Sequence, residues 1–194
     1  MIIGLTGQSG AGKSTVAKIF ARNGFLILDT DEISRQLIPG LLSELCRVFG
    51  DDILDPEGKL DRKKLARKAF SNDEQTEKLN GVMHRAIMTS VWDTVEEKRK
   101  EGYEDFLIDG AALYEAGADK GCDAVIAVIA DKRLRRKRVM SRDGISAQDA
   151  DKRFARQKSN AFFRRKADFV IVNQDLSSLE EKVCDIIKEL KGKN

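Results

Sequence analysis

Met1-Ile2-Ile3-Gly4-Leu5-Thr6-Gly7-Gln8-Ser9-Gly10-Ala11-Gly12-Lys13-Ser14 is the stretch that decides the fold. An apolar run passes into a glycine-rich loop, and the loop into an amphipathic stretch carrying Val16, Ala17, Ile19 and Phe20. Gly7 through Ser14 satisfies G-x-x-x-x-G-K-[ST] at every fixed position, in the strand, loop and helix setting that this pattern needs. Glycines let the backbone curl until successive N–H groups converge on phosphate oxygens, and the start of a helix adds partial positive charge. Gly10, Ala11, Gly12, Lys13, Ser14 and Thr15 are therefore expected to hold a nucleoside triphosphate. Lys13 is expected on its terminal phosphates and Ser14 on the magnesium ion that bridges them.

Working outward, short apolar runs predict buried parallel strands over Met1 to Thr6, Phe25 to Asp29, Asp105 to Asp109, Ala124 to Ile129 and Phe169 to Val172. Helical patterns separate them. The first helix runs over Lys13 to Arg22 and ends at Asn23-Gly24, where a left-handed residue can close it. About 75 residues with helical periodicity and no strand signal lie between the second and third strands, far more than a crossover needs. They predict an inserted helical lobe. Ser71-Asn72-Asp73-Glu74 has the form of a capping box opening a long helix there, and Ser146-Ala147-Gln148-Asp149 resembles another helix start. The last helix places Leu179, Val183, Ile186, Ile187 and Leu190 on one stripe, expected to face the sheet. The fold class is α/β, a five-stranded parallel sheet flanked by helices.

Composition narrows the function classes. Cations number 35 and anions 32, so the net charge of +3 gives no bulk signal for nucleic acid. Cys46, Cys122 and Cys184 are odd in number and lack C-x-x-C spacing, which argues against a disulfide framework or a zinc site. The apolar run Ala124 to Ala130 is much shorter than a membrane span, and Met1-Ile2-Ile3 enters a strand pattern without a basic leader. The expectation is a cytoplasmic protein, a monomer or weak homo-oligomer, with neither membrane nor nucleic acid as partner.

Leu28-Asp29-Thr30-Asp31 puts two carboxylates at the end of the second strand, where open α/β sheets bind ligands. A carboxylate there can align an attacking hydroxyl and take its proton, although both acids also suit the cap of the helix beginning near Glu32. Asp131 to Arg138 is the most basic stretch, with Arg142 one helical turn beyond Arg138. Arg138 and Arg142 are assigned to the phosphates, because an arginine fork suits charge spreading over phosphoryl oxygens. Arg133, Arg135 and Arg136 are read as a solvated face. His84, the one histidine, falls in a helical stretch of the inserted lobe, and its spacing alone favours a structural role.

With these residues assembled, the chain resembles the dephospho-CoA kinase family, a group of P-loop NTPases, over about residues 1 to 190. The loop followed by Thr15-Val16-Ala17 looks like the family's opening, and Asp29-Thr30-Asp31 with Arg35 is similar to its D-x-D-x-x-x-R. Phe49-Gly50, Asp61-Arg62, Leu65 and Phe70 resemble markers of its helical substrate lobe. His84 with Ile87 resembles H-P-x-I, Leu113-Tyr114-Glu115 resembles P-L-L-F-E, and Arg142-Asp143-Gly144 resembles a lid motif. Gln157, Ala167-Asp168 and Val170 to Asn173 follow in the family's order.

The resemblance implies an ATP- and magnesium-dependent kinase that phosphorylates the ribose 3'-hydroxyl of dephospho-CoA. It implies one kinase domain over 1–194. Residues 1–30 and 105–194 would form the nucleotide core, 31–104 a CoA-binding lobe and 139–166 a lid. Asp31 would be the general base, Arg35 and His84 would meet the coenzyme, Arg142 would come from the lid, and Asn173 would lie near the adenine. The chain departs from the family at Arg85, which stands where proline follows the histidine. Ala111-Ala112 replace the proline and first leucine of P-L-L-F-E, and Gln174-Asp175 follow Asn173 in place of the usual residues. Two other readings stay open: a kinase of this architecture for a nucleoside or nucleoside monophosphate, and a nucleotide switch. The absence of a guanine-reading N-K-x-D motif weighs against the second.

Overall fold

The structure is a computed structural model that describes residues 1–174 and 178–192; Asp175 and the Lys193-Asn194 tail lie outside the described residues. Five strands form one sheet in the order β2-β3-β1-β4-β5. They are β1 (Ile2–Gly7), β2 (Leu26–Asp29), β3 (Phe106–Asp109), β4 (Ala124–Ile129) and β5 (Phe169–Val172). β1 pairs in parallel with β3 and β4, and β4 with β5. Every residue of β1, β3 and β4 is buried, as unbroken apolar runs in a doubly covered parallel sheet require.

The chain divides into two compact units. The first comprises Met1–Leu28 and the chain from Glu101 onward. Here α1 (Lys13–Arg22) and α9 (Leu179–Lys191) bury Val16, Ile19, Phe20, Leu179, Val183, Ile187 and Leu190 together with Ile3, Leu5, Ile126 and Val128 of the sheet. The terminal stripe is thus as the periodicity predicts, with Ile186 packed at its margin. The same unit carries α6 (Lys132–Asp143), α7 (Ala147–Ala155) and α8 (Asn160–Lys166). Asp131, Ser146 and Ser159 cap them, each side chain accepting from first-turn N–H groups.

The second unit, Asp29–Lys100, is mainly helical, with one isolated antiparallel bridge between Leu54 and Leu60. It contains α2 (Thr30–Leu37), α3 (Leu42–Phe49), α4 (Arg62–Ala69) and α5 (Asp73–Lys100). Its own core gathers Leu45, Phe49, Ile53, Leu65, Ala69 and Val82. The start of α5 differs by one residue from the capping box expected there. Asn72, not Ser71, accepts from the Gln75 N–H at 2.9 Å, while the Ser71 hydroxyl donates to the Lys68 carbonyl at 2.7 Å. Asparagine caps at least as well as serine, and the preceding turn captures Ser71 first.

In the first unit the Tyr114 hydroxyl is buried without a hydrogen-bond partner among the described residues. Its ring meets Phe162 edge-on at 5.4 Å, and burial pushes its pKa up to about 12. A desolvated hydroxyl with no acceptor costs stability, so Tyr114→Phe is expected to stabilise the fold by about 1 kcal/mol, read as a higher Tm in a thermal melt. A lower Tm would mean that the hydroxyl is bonded.

Candidate active site

The loop between β1 and α1 is shaped by what surrounds it. Gly12 sits at φ 102°, and a Cβ there would lie 2.1 Å from the Asn173 amide nitrogen. Gly10, at φ 77°, faces the Arg135 carbonyl at 2.7 Å in the same sense. Both positions need glycine for backbone conformation and for space. Gly12→Ala is expected to cost on the order of 3 kcal/mol and to abolish nucleotide affinity, since the backbone there is left-handed and a methyl group would displace the buried Asn173 amide from its bond to the Ala11 carbonyl. Thermal melts and ATP calorimetry check this; a Gly12→Ala variant that binds ATP normally would contradict it.

α1 begins at this loop without a side-chain cap, in contrast to α2, α4 and α6, which are capped by Asp29, Asp61 and Asp131. The Thr15 and Val16 N–H groups return to the Gly12 carbonyl at 3.0 and 3.2 Å, which leaves those of Lys13 and Ser14 to an external anion. Ser14 and Thr15 are exposed on that turn. Lys13 pairs with the carboxylate of Asp109, the last residue of β3. Register brings Asp109 opposite Leu5, so the adjacency of β3 and β1 delivers this acid to the loop lysine.

Residues of α6 and of the α7–α8 connection hold the loop from the side. The buried Arg135 donates through Nε to the Ser9 carbonyl at 2.9 Å and through Nη2 to Gln157 Oε1 at 2.7 Å. Gln157 Nε2 donates in turn to Ser9 Oγ at 2.8 Å, and the Ser9 N–H to Gln157 Oε1 at 3.3 Å. Gln8 Nε2 donates to the Lys158 carbonyl at 2.9 Å. Arg138 Nη1 reaches the Gly10 carbonyl at 3.3 Å. Arg142, one turn further along, is exposed and turned to Asp143, donating through Nε at 2.6 Å and Nη2 at 3.0 Å. Bonds from Arg142 and Arg153 hold the Asp143 carboxyl well below the usual carboxylate range.

In the second unit, Asp29 is the cap of α2: Oδ1 accepts from the N–H groups of Asp31 at 2.9 Å and Glu32 at 3.1 Å. That leaves Asp31 as an exposed carboxylate in the first turn. Arg35 forks onto Glu32, Nε at 3.1 Å and Nη2 at 2.5 Å, and this bond raises the arginine pKa. His84 is half-buried on α5. A cavity of about 470 Å³ along α5 is lined by Arg85, Thr89, Ser90 and Asp93, with Leu37 of α2 and Glu44 of α3.

The form of the loop, set between a buried parallel strand and an uncapped helix, and the order of the motifs that follow it both have counterparts in known proteins. Residues 1–178 match the family model described as CoaE, dephospho-CoA kinase. The chain belongs to the dephospho-CoA kinase family. A dephospho-CoA kinase of Corynebacterium diphtheriae is 40% identical over 186 residues, covering 94% of this chain and 93% of that one. The crystal structure of TT1252 from Thermus thermophilus aligns with a TM-score of 0.85 at 28% identity, over 97% of this chain and 96% of that one. Dephospho-CoA kinase from Campylobacter jejuni aligns with a TM-score of 0.72, also at 28% identity, over 100% and 98%.

For this dephospho-CoA kinase family member, the residues expected at the phosphates divide into groups. Gly10 to Thr15, Arg138 and Asn173 come together at the loop, whereas Arg142 pairs with Asp143. One expectation is corrected, and another gains detail. Asn173 is 1% exposed and its Nδ2 donates to the Ala11 carbonyl at 2.7 Å, so it supports the loop from behind. Arg135 is not on a solvated face: it is 4% exposed and stacks 4.1 Å from the Phe154 ring centroid. Asp109 was not expected in the site, because strand order is what brings it there. Arg135 had a signal, its spacing of four from the buried Val139.

Proposed function

We propose that this chain transfers the terminal phosphoryl group of ATP to the ribose 3'-hydroxyl of dephospho-CoA, giving CoA and ADP. The family relation over residues 1–178 supports this function most directly. The uncapped, glycine-shaped start of α1 supports its nucleotide half.

The loop amides and the Lys13 ammonium hold the phosphates and meet the charge that develops as the phosphoryl group moves. Magnesium fits the donor set, because the Ser14 hydroxyl is exposed on the first turn of α1, and magnesium keeps water and phosphate oxygens as its other ligands. When bound, that ion neutralises phosphate oxygens. Asp31 accepts the hydrogen bond of the acceptor hydroxyl, aligns it and takes its proton. Arg35 and His84 hold the coenzyme. Arg142 belongs to a lid over 139–166 and exchanges Asp143 for a phosphate oxygen. Closure of that lid excludes water and protects the phosphoryl group from hydrolysis. Because the transition state is loose, position and charge count for more than proton removal. The place of work in this reading is the cytoplasm. Among the described residues no helix is long and apolar enough to cross a membrane.

Dephospho-CoA, adenosine and AMP, each offered with ATP·Mg²⁺ while ADP release is followed, test the acceptor. Release driven by dephospho-CoA alone is expected. Release driven by adenosine or AMP would overturn the assignment, and release indifferent to any acceptor would make the chain a nucleotide switch.

A further inference from the structure

The side-on contacts of the phosphate loop converge on one residue. Arg135 lies in the middle of the most basic stretch of the chain, yet it is 4% exposed. Its two bonding nitrogens reach two different neutral acceptors, the Ser9 carbonyl within the loop and Gln157 Oε1 at the α7–α8 connection. Gln157 bonds Ser9 twice more, through its hydroxyl and its N–H. The result is a closed ring of Arg135, Ser9 and Gln157, with the guanidinium lying over Phe154. The backbone of α6 completes the wall, since the Arg135 carbonyl and the Val139 side chain occupy the space that a Cβ on Gly10 would need.

Its burial without a counter-ion among the described residues separates this arginine from several of its neighbours. Arg136 and Lys132 pair with Asp151, and Arg142 with Asp143. Arg135 has no carboxylate partner among the described residues, so its charge is buried against a carbonyl, an amide and a ring. A buried charge without a counter-ion is costly and is tolerated where an anion completes it. The anion at this loop is the triphosphate. A residue spanning Ser9 and Gln157 also fixes the loop before any ligand arrives, which removes the ordering cost from nucleotide binding.

We propose that Arg135 is a positioning residue for the nucleotide: it braces Ser9 against Gln157, sets the loop in its phosphate-accepting form, and leaves its own charge for the bound triphosphate to complete. The inference rests on Gly7 to Ser14 being a nucleotide loop. It also divides the basic run by task, Arg135 inside the wall and Arg133 and Lys137 in solvent. Lysine at 135 would keep the charge and lose the fork, because one ammonium cannot reproduce two planar N–H donors in fixed directions.

The test is ATP·Mg²⁺ calorimetry with steady-state kinetics on the wild-type chain, Arg135→Ala, Arg135→Lys, Gln157→Ala and the Arg135→Ala/Gln157→Ala double variant. Arg135→Ala is expected to raise the Kd and KM for ATP about tenfold or more while the KM for the acceptor stays within about twofold. Arg135→Lys should recover part of the loss. The double variant should be little worse than Arg135→Ala, since both changes open one ring. If Arg135→Ala does not fold, Arg135→Lys carries the comparison, with raised KM for ATP at unchanged acceptor KM as the expected result. ATP affinity unchanged in the folded variants would overturn the proposal, as would equal losses for both substrates or additive effects of the two substitutions. A wild-type chain that fails to bind ATP would instead overturn the nucleotide loop itself.

Discussion

Lys13→Met is expected to reduce kcat/KM by about 10³-fold, the largest loss from any single side chain, because it removes the one full charge carried by the phosphate loop. The lysine is held in place before the nucleotide arrives. Its ammonium pairs with Asp109, whose side chain is 8% exposed at the end of β3. A bound triphosphate therefore meets a cation already oriented, without the entropy of ordering a flexible side chain. The substitution also takes that cation from Asp109, and a buried carboxylate that loses its cation is destabilising. Stability and chemistry are separable by adding Asp109→Asn. The double variant should regain much of the Tm lost by Lys13→Met and none of the turnover. A folded Lys13→Met protein that turns over within about tenfold of wild type would refute the role given to this residue.

Asp31→Asn is expected to lower kcat by about 10²-fold with little change in either KM, the low end of what a general base contributes. The substitution keeps size and hydrogen-bonding reach, and removes the capacity to take a proton. Helix α2 should not suffer, because its cap is Asp29, whose Oδ1 accepts from the backbone N–H groups of Asp31 and Glu32. Asp29→Ala, by contrast, should weaken the start of α2 by about 1 kcal/mol with a smaller effect on kcat. Steady-state kinetics and thermal melts on the pair separate base from cap. Full turnover in Asp31→Asn would remove Asp31 from the chemistry, and the ordering with Lys13→Met follows from a loose transition state in which charge and position dominate.

The strands and the loop were legible because local sequence is enough to specify them. Ala124 to Ile129 and Phe169 to Val172 are strands with the boundaries that their apolar runs suggest, and Gly7 and Gly12, the two glycines that the loop pattern fixes, sit where a Cβ would collide with its surroundings. Strand order was not legible. It is set by which hydrophobic faces pack together, and it alone carries Asp109 to Lys13. Arg135 was obscured differently. Composition merges Asp131 to Arg138 into one charged block, whereas a 3.6-residue period puts Arg135 on the face of the buried Val139. Asn173 is where the pattern expects it along the chain, and only the structure shows its amide bonded to the Ala11 carbonyl behind the loop. For Asp29 and Asp31 the resemblance favoured Asp31 as base while either acid suited the cap, and backbone geometry at the first turn of α2 assigns the cap to Asp29.

Phosphorus NMR and mass analysis of the product formed from ATP·Mg²⁺ and dephospho-CoA test the account at its centre. A single new phosphate monoester on the ribose 3'-oxygen, with one ADP formed per product, is the predicted result. Phosphate on any other oxygen, or ADP with unmodified dephospho-CoA, would contradict it.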